Sequence, residues 1–121
     1  MDFAFADQFT TEWLDAWNSH DLERILSHFT DDVVFTSPVA IKVLDCSDGS
    51  IRGKAALRHY WGHGLERIPD LHFERESIYL GVGTLVINYR NQTGALVNEV
   101  LTFEGPLVAV GHATYEAEPT A

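Results

Sequence analysis

A single cysteine, Cys46, is all the thiol chemistry in the chain. One thiol cannot close an intrachain disulfide, so the fold must rely on packing or assembly, and a reducing compartment is the expected setting. Basic residues are also scarce: 8 Lys and Arg stand against 18 Asp and Glu, a formal charge of −10. Such a chain repels phosphate backbones and anionic lipid, which sets aside nucleic acid and membrane as partners. No apolar run approaches the ~20 residues of a membrane span. The opening MDFAFADQF has neither a basic n-region nor a long apolar h-region, so a cytoplasmic location is expected. There is no phosphate-binding glycine loop, no Gly-x-Ser-x-Gly elbow and no dinucleotide fingerprint. Asp45 and Asp48 flank Cys46 and disfavour its thiolate, which makes it a poor nucleophile. Covalent catalysis has no support, and no cofactor is expected.

What is present is a folded globule. With 45% hydrophobic and 12% aromatic residues, the 121 residues form one domain spanning 1–121 with a substantial core. Phe5, Phe9, Trp13 and Trp17 recur every four residues beside Leu14 and Ala16, the apolar face of a first helix. Asp21 opens a second helix carrying Leu22, Ile25, Leu26 and Phe29 and ending near Thr30. The acids of Asp31-Asp32-Val33-Val34-Phe35-Thr36-Ser37-Pro38 read as punctuation between that helix and a short strand over 33–36. A long loop follows, exposed over 45–50. A third helix after Gly53 carries Leu57, Tyr60, Trp61 and Leu65, with Gly62 and Gly64 weakening its end. From Leu71 the period becomes two, giving strands over 71–80, 84–91, 95–104 and 107–116 joined by short glycine-containing turns. Helices first and an antiparallel meander later is the α+β order, with the helices on one face of the sheet.

The strand over 95–104 is the most informative. One face carries Ala95, Val97, Glu99, Leu101 and Phe103, so Glu99 is the single ionisable group on the more apolar side. If that side meets the helices, burial raises its pKa and leaves a carboxyl able to give and take a proton. The plainer alternative is a solvated Glu99 or one paired with Arg75 or Arg90. On the strand over 107–116, His112 shares a face with Val108, Val110 and Thr114; it lines the same cavity as a partner base, or is a hydrogen-bonded structural residue. Tyr115 lies on the other face. His59 and His63 are four apart on the third helix, but no third ligand accompanies them, and a solvated face is the better reading; no metal site is expected. Trp13, Trp17, Tyr60 and Trp61, from two helices, wall an apolar cavity or pack the core, and Glu99 is a candidate acceptor for their indole N–H groups.

Taken in order, FTTEWLDAWNSHDLERILSHFTDDVVFTSP, IRGKAALRHYW and VNEVLTFEG resemble the SnoaL-like branch of the nuclear-transport-factor-two-like superfamily over about residues 5–116. The resemblance implies a cone-shaped α+β fold in which a curved antiparallel sheet wraps N-terminal helices and encloses a deep pocket, commonly as a homodimer through the sheet. Relatives include polyketide cyclases, ketosteroid isomerases and scytalone dehydratase, and members without known activity, so the reaction stays open. By that resemblance Trp13 stands at the isomerases' tyrosine donor, Ser37 at their base, Glu99 at their protonated acid and Trp61 at a supporting aromatic. A serine without an adjacent base cannot take a proton from carbon, which disfavours steroid isomerisation.

Two functions are consistent with these residues. One is a cofactor-free cyclase, isomerase or dehydratase acting on a small apolar carbonyl compound. Glu99 would shuttle the proton with His112 as partner, Trp13 and Trp61 would donate to an oxyanion, and Trp17, Ser37, Leu57, Tyr60, Val97 and Leu101 would complete the binding surface. The other is a non-catalytic module that binds a hydrophobic small molecule or dimerises. Leu96, Val100, Val108 and Val110 exceed what one small core covers, so a homodimer through the outer sheet face is expected.

Overall fold

The computed structural model describes residues 1–44 and 48–118. Helix α1 spans Phe3–Asn18, started by Asp2, whose carboxylate accepts from the Phe5 N–H at 2.9 Å. Its four-residue stripe is buried at Phe9, Trp13 and Trp17. Helix α2, Leu22–Leu26, is capped by Asp21, which accepts from the Arg24 N–H. It ends earlier than its periodicity suggests because Phe29 begins strand β1, Phe29–Thr36, opposite Val108; Val108 N–H also donates to the His28 carbonyl at 2.9 Å. Strand pairing overrides the helical pattern there. Asp31 and Asp32 therefore lie inside β1, exposed where its register with the last strand shifts between Phe29 and Val34, rather than in a turn ahead of it.

The stretch expected to be a loop after Thr36 holds two further elements. Ser37 accepts from the Val39 N–H at 3.2 Å and Pro38 takes the first turn of α3, Pro38–Val43, an ordinary serine cap with proline at the helix start. Strand β2, Ser50–Arg52, pairs antiparallel with the end of β1. Asp45, Cys46 and Ser47, and with them the expectation of an unreactive thiol, lie outside the described residues; of the rest of the stretch expected to be exposed, Asp48 is, but Gly49 is buried and Ser50 is half-buried because β2 begins there. Helix α4 runs over Lys54–Arg67.

Strands β3 (Glu74–Gly81), β4 (Thr84–Arg90), β5 (Leu96–Glu104) and β6 (Leu107–Tyr115) form the expected meander, and the sheet order is β2-β1-β6-β5-β4-β3. All neighbours are antiparallel except β1 and β6, so a mostly antiparallel, curved and open sheet wraps the helices. Strand β3 starts three residues later than the alternation begins. The backbone ahead of it is engaged by α1 instead: Asn18 both donates to and accepts from Phe73, at 2.9 and 2.7 Å, and the His20 ring bonds the Leu71 carbonyl. One helix end is thereby fastened to the sheet edge. No helix among the described residues is long and apolar enough to cross a membrane.

The inner sheet face contributes Leu85, Ile87 and Tyr89 from β4 and Val97, Glu99 and Leu101 from β5, each buried. In β6 the alternation breaks: Phe103 pairs with Val108 but Thr102 pairs with Val110, so Ala109 is an inserted residue. Val108 points inward at full burial, and beyond the bulge Gly111 and Ala113 take the inner positions opposite Leu101 and Glu99. Val110, His112 and Thr114 accordingly face outward. Gly111 suits the close approach there, since a Cβ would lie 3.0 Å from the Phe35 ring. Val108 cannot contribute to an outer interface, as expected of it above; Leu96, Val100 and Val110, partly exposed, remain on that face.

Candidate active site

A cavity of about 180 Å³ lies between α1, α3, α4 and the inner sheet face, open to solvent on one side. Trp17, Phe35, Trp61, Phe73 and Tyr89 form its apolar wall. They are locked edge to face or stacked: Trp17 on Trp61 with centroids at 5.1 Å, Phe35 on Trp61 at 5.2 Å, Phe73 on Tyr89 at 4.2 Å. Val39 and Val43 of α3, 38% and 47% exposed, border the opening together with His63 and Arg67 of α4.

Polar groups are few and converge. Glu99 lines the cavity at 6% exposure, between Ile87 and Ala113 on the neighbouring strands. Tyr89 donates its hydroxyl to Glu99 Oε1 at 2.9 Å, while Oε2 is buried without a hydrogen-bond partner. Burial, the larger effect, pushes the Glu99 pKa up to about 7, and the Tyr89 bond pulls the other way by favouring the carboxylate. Tyr89 is held well above its ordinary value by burial and then by the Glu99 charge, so it stays a donor. Tyr115 is pushed up to about 12 by burial, and Tyr60 is raised by the same cause; the Ser37 hydroxyl acts on both in the opposite direction. Three neutral phenols, one hydroxyl and one carboxyl titrating near neutrality therefore share one apolar chamber.

The residues singled out from the sequence divide cleanly. Glu99, Trp17, Ser37, Tyr60 and Trp61 line the cavity. Trp13, Leu57, Val97 and Leu101 do not; they are buried at 2% exposure or less and belong to the packed core, because their positions face the interior away from the opening. His112 does not join Glu99. The Ala109 bulge turns it to the outer face opposite Val100, where its Nδ1 meets the Thr36 hydroxyl at 2.6 Å. The indoles of Trp13 and Trp17 do not reach Glu99 either, and both Nε1 atoms are buried without a partner. Among the described residues no three His, Cys, Asp or Glu are grouped to hold a metal ion, and His59 and His63 only stand ring against ring at 5.0 Å.

Tyr89 and Tyr115 are the site residues the sequence reading missed. The signal for Tyr115 was Gly111: placing that glycine on the crowded inner face sets the parity of β6 and brings Tyr115 inside with it. Tyr89 was readable from antiparallel register, since the turn at 92–94 places it beside Val97, two positions from Glu99.

Helices cupped by an open, curved sheet are a fold that the chain shares with solved structures described as cystatin-like and as NTF2-like, which superpose on it. The chain belongs to the SnoaL-like domain family, whose model matches residues 10–106. A SnoaL-like protein of unknown function from Burkholderia thailandensis is 41% identical with a TM-score of 0.91, over 97% of this chain and 99% of that one. A candidate polyketide cyclase from Sinorhizobium meliloti (11% identity, TM-score 0.71, 85% and 90% covered) shares the fold. So does AclR, a candidate hydroxylase from Streptomyces galilaeus (21%, 0.74, 95% and 91%). No functionally curated protein matches the chain in sequence.

Proposed function

We propose that the chain is a cofactor-free acid–base enzyme acting on a flat, apolar carbonyl compound, with Glu99 as the proton shuttle. The observation that carries this reading is the state of Glu99: one oxygen fixed by Tyr89, the other unpartnered, in an aromatic cavity and close to half ionised at neutral pH. As carboxylate it takes a proton from the carbon next to the bound carbonyl. The C–H electron pair becomes the new C=C bond and the carbonyl π pair moves onto oxygen, giving an enolate. The O–H groups of Tyr60, Tyr115 and Ser37 are the donors available to that oxygen. Protonated Glu99 then returns the proton. It goes to a second carbon in an isomerisation, or to the alkoxide formed when the enolate closes on another carbonyl, the outcome suited to a cyclase. Tyr89 is a positioning residue in this scheme, holding the carboxyl in place.

Proton exchange tests it directly. With 2-tetralone as probe in D2O, NMR is expected to show protein-dependent loss of the α-hydrogens, slowed by roughly 10²–10⁴-fold in Glu99→Gln. Equal rates in the two proteins would defeat the shuttle role.

A second reading, a non-catalytic hydrophobic-ligand or dimerisation module, is favoured by one observation: no second carboxyl lines the cavity among the described residues. It predicts binding without exchange. In either case the partly exposed Leu96, Val100 and Val110 on the outer sheet face support a homodimer. Light scattering at micromolar concentration should give twice 13.6 kDa, and a monomer mass would reject the dimer.

A further inference from the structure

Among the described residues, five of the chain's 8 Lys and Arg are held in ion pairs: Arg24 with Glu12 and Asp15, Lys54 with Asp31, Arg58 with Glu23, Arg75 with Asp7 and Arg90 with Glu76. With carboxylates in such surplus, pairing is the expected fate of a base. Lys42, Arg52 and Arg67 depart from it, and of the three Arg67 is the one beside the cavity. It lines the cavity opening and has no ion-pair partner among the described residues. A base in the last turn of α4 does suit the helix dipole, but any face of that turn would satisfy the dipole, and this one faces the cavity.

Arg67 completes a stripe on α4. Tyr60, His63, Gly64 and Arg67 are spaced i, i+3, i+4, i+7 and all four line the cavity. Gly64 is the odd member, because glycine within a helix is unfavourable relative to alanine. A Cβ there would meet nothing within 4 Å, whereas one on Gly62 would touch Leu22 at 3.5 Å. No protein neighbour demands the missing side chain at 64. Its effect is a flat shelf in the cavity wall, one turn from the Arg67 guanidinium. Below about pH 7 the neutral form of Glu99 dominates, leaving Arg67 the one permanent charge of the lining among the described residues.

We propose that the cavity takes a flat aromatic molecule bearing one acidic group, a carboxylate or stabilised enolate, which Arg67 holds at the opening while the ring lies over Gly64 and against the wall formed by Trp17 and Trp61. This rests on the reading of the cavity as a ligand site and adds the charge and orientation of the ligand. The acidic end is kept at the opening and the neutral end is delivered to Glu99.

The probes are 2-naphthoate and its uncharged isostere 2-naphthamide, titrated against the full chain at pH 6.5 with tryptophan fluorescence as readout. Wild type is expected to bind the carboxylate more tightly. Arg67→Met should weaken 2-naphthoate about threefold to fivefold, the range of a partly exposed ion pair, and leave 2-naphthamide within about twofold. Raised salt should shrink the difference. Gly64→Ala should unfold at a higher temperature than wild type yet weaken both probes, a combination that a purely structural role for the glycine would not give. Equal weakening of both probes by Arg67→Met, or wild-type preference for the amide, would overturn the inference. Failure of wild type to bind either probe at millimolar concentration would overturn the ligand-site reading along with it. Selective 2-naphthoate binding without tetralone exchange would remove only the enzyme.

Discussion

Trp13 and Trp17 stand one turn apart on the same face of α1, their rings 6.1 Å from each other, and meet different surroundings. Trp13 stacks on Phe73 and lies against Tyr89 at 2% exposure, inside the packed core. Trp17 meets Trp61 and Phe73, and its outer side is cavity wall. The chamber on that side is bounded at Ala113 and Gly64 by residues with little or no side chain. An amphipathic stripe therefore says that a residue points inward; what stands opposite decides whether inward means core or pocket.

Truncation should separate the two most strongly. Trp13→Ala empties a sealed site and is expected to cost about 4 kcal/mol in urea unfolding, within the range for buried tryptophan. Trp17→Ala opens a space already joined to solvent and should cost about 2 kcal/mol while abolishing tryptophan-detected probe binding; equal losses of stability would erase the distinction drawn between core and wall. The chamber's own signature is its pH dependence. The Glu99 pKa is raised from an ordinary 4.5 to about 7, so its neutral form favours folding, fully below the unfolded value and progressively less as pH rises through 7. At ~1.4 kcal/mol per pH unit this is on the order of 3 kcal/mol. Between pH 5 and pH 8.5 wild type should lose that much more stability than Glu99→Gln, and parallel pH curves would place the carboxylate in solvent. Tyr89→Phe, the smaller change, removes the bond that favours the carboxylate and should move the Glu99 titration in a carbon-13 NMR experiment further upward.

The sequence made most of the fold readable, because its evidence is periodic. The stripes of α1 and α4 and the alternation of β4 and β5 survive in the structure. The misreadings fall where a partner distant in sequence takes over the backbone: β6 claims Phe29 from a helical pattern, and Asn18 claims Phe73 from a strand pattern. Of the site, Glu99 was visible as an acid out of place on an apolar face, whereas its partner Tyr89 depends on cross-strand register. Placing His112 beside Glu99 failed for a reason one residue long, the bulge at Ala109.

That bulge acts as a parity switch in the strand. Every side chain beyond it is presented to the side that plain alternation would have denied it, so one extra backbone unit chooses between a phenol and an imidazole as the carboxyl's companion. Insertion or loss of a single codon at such a point exchanges the whole inward-facing set at once. A pocket of this architecture can thus change its chemistry by sliding a strand one position, with no substitution at any residue that touches the ligand.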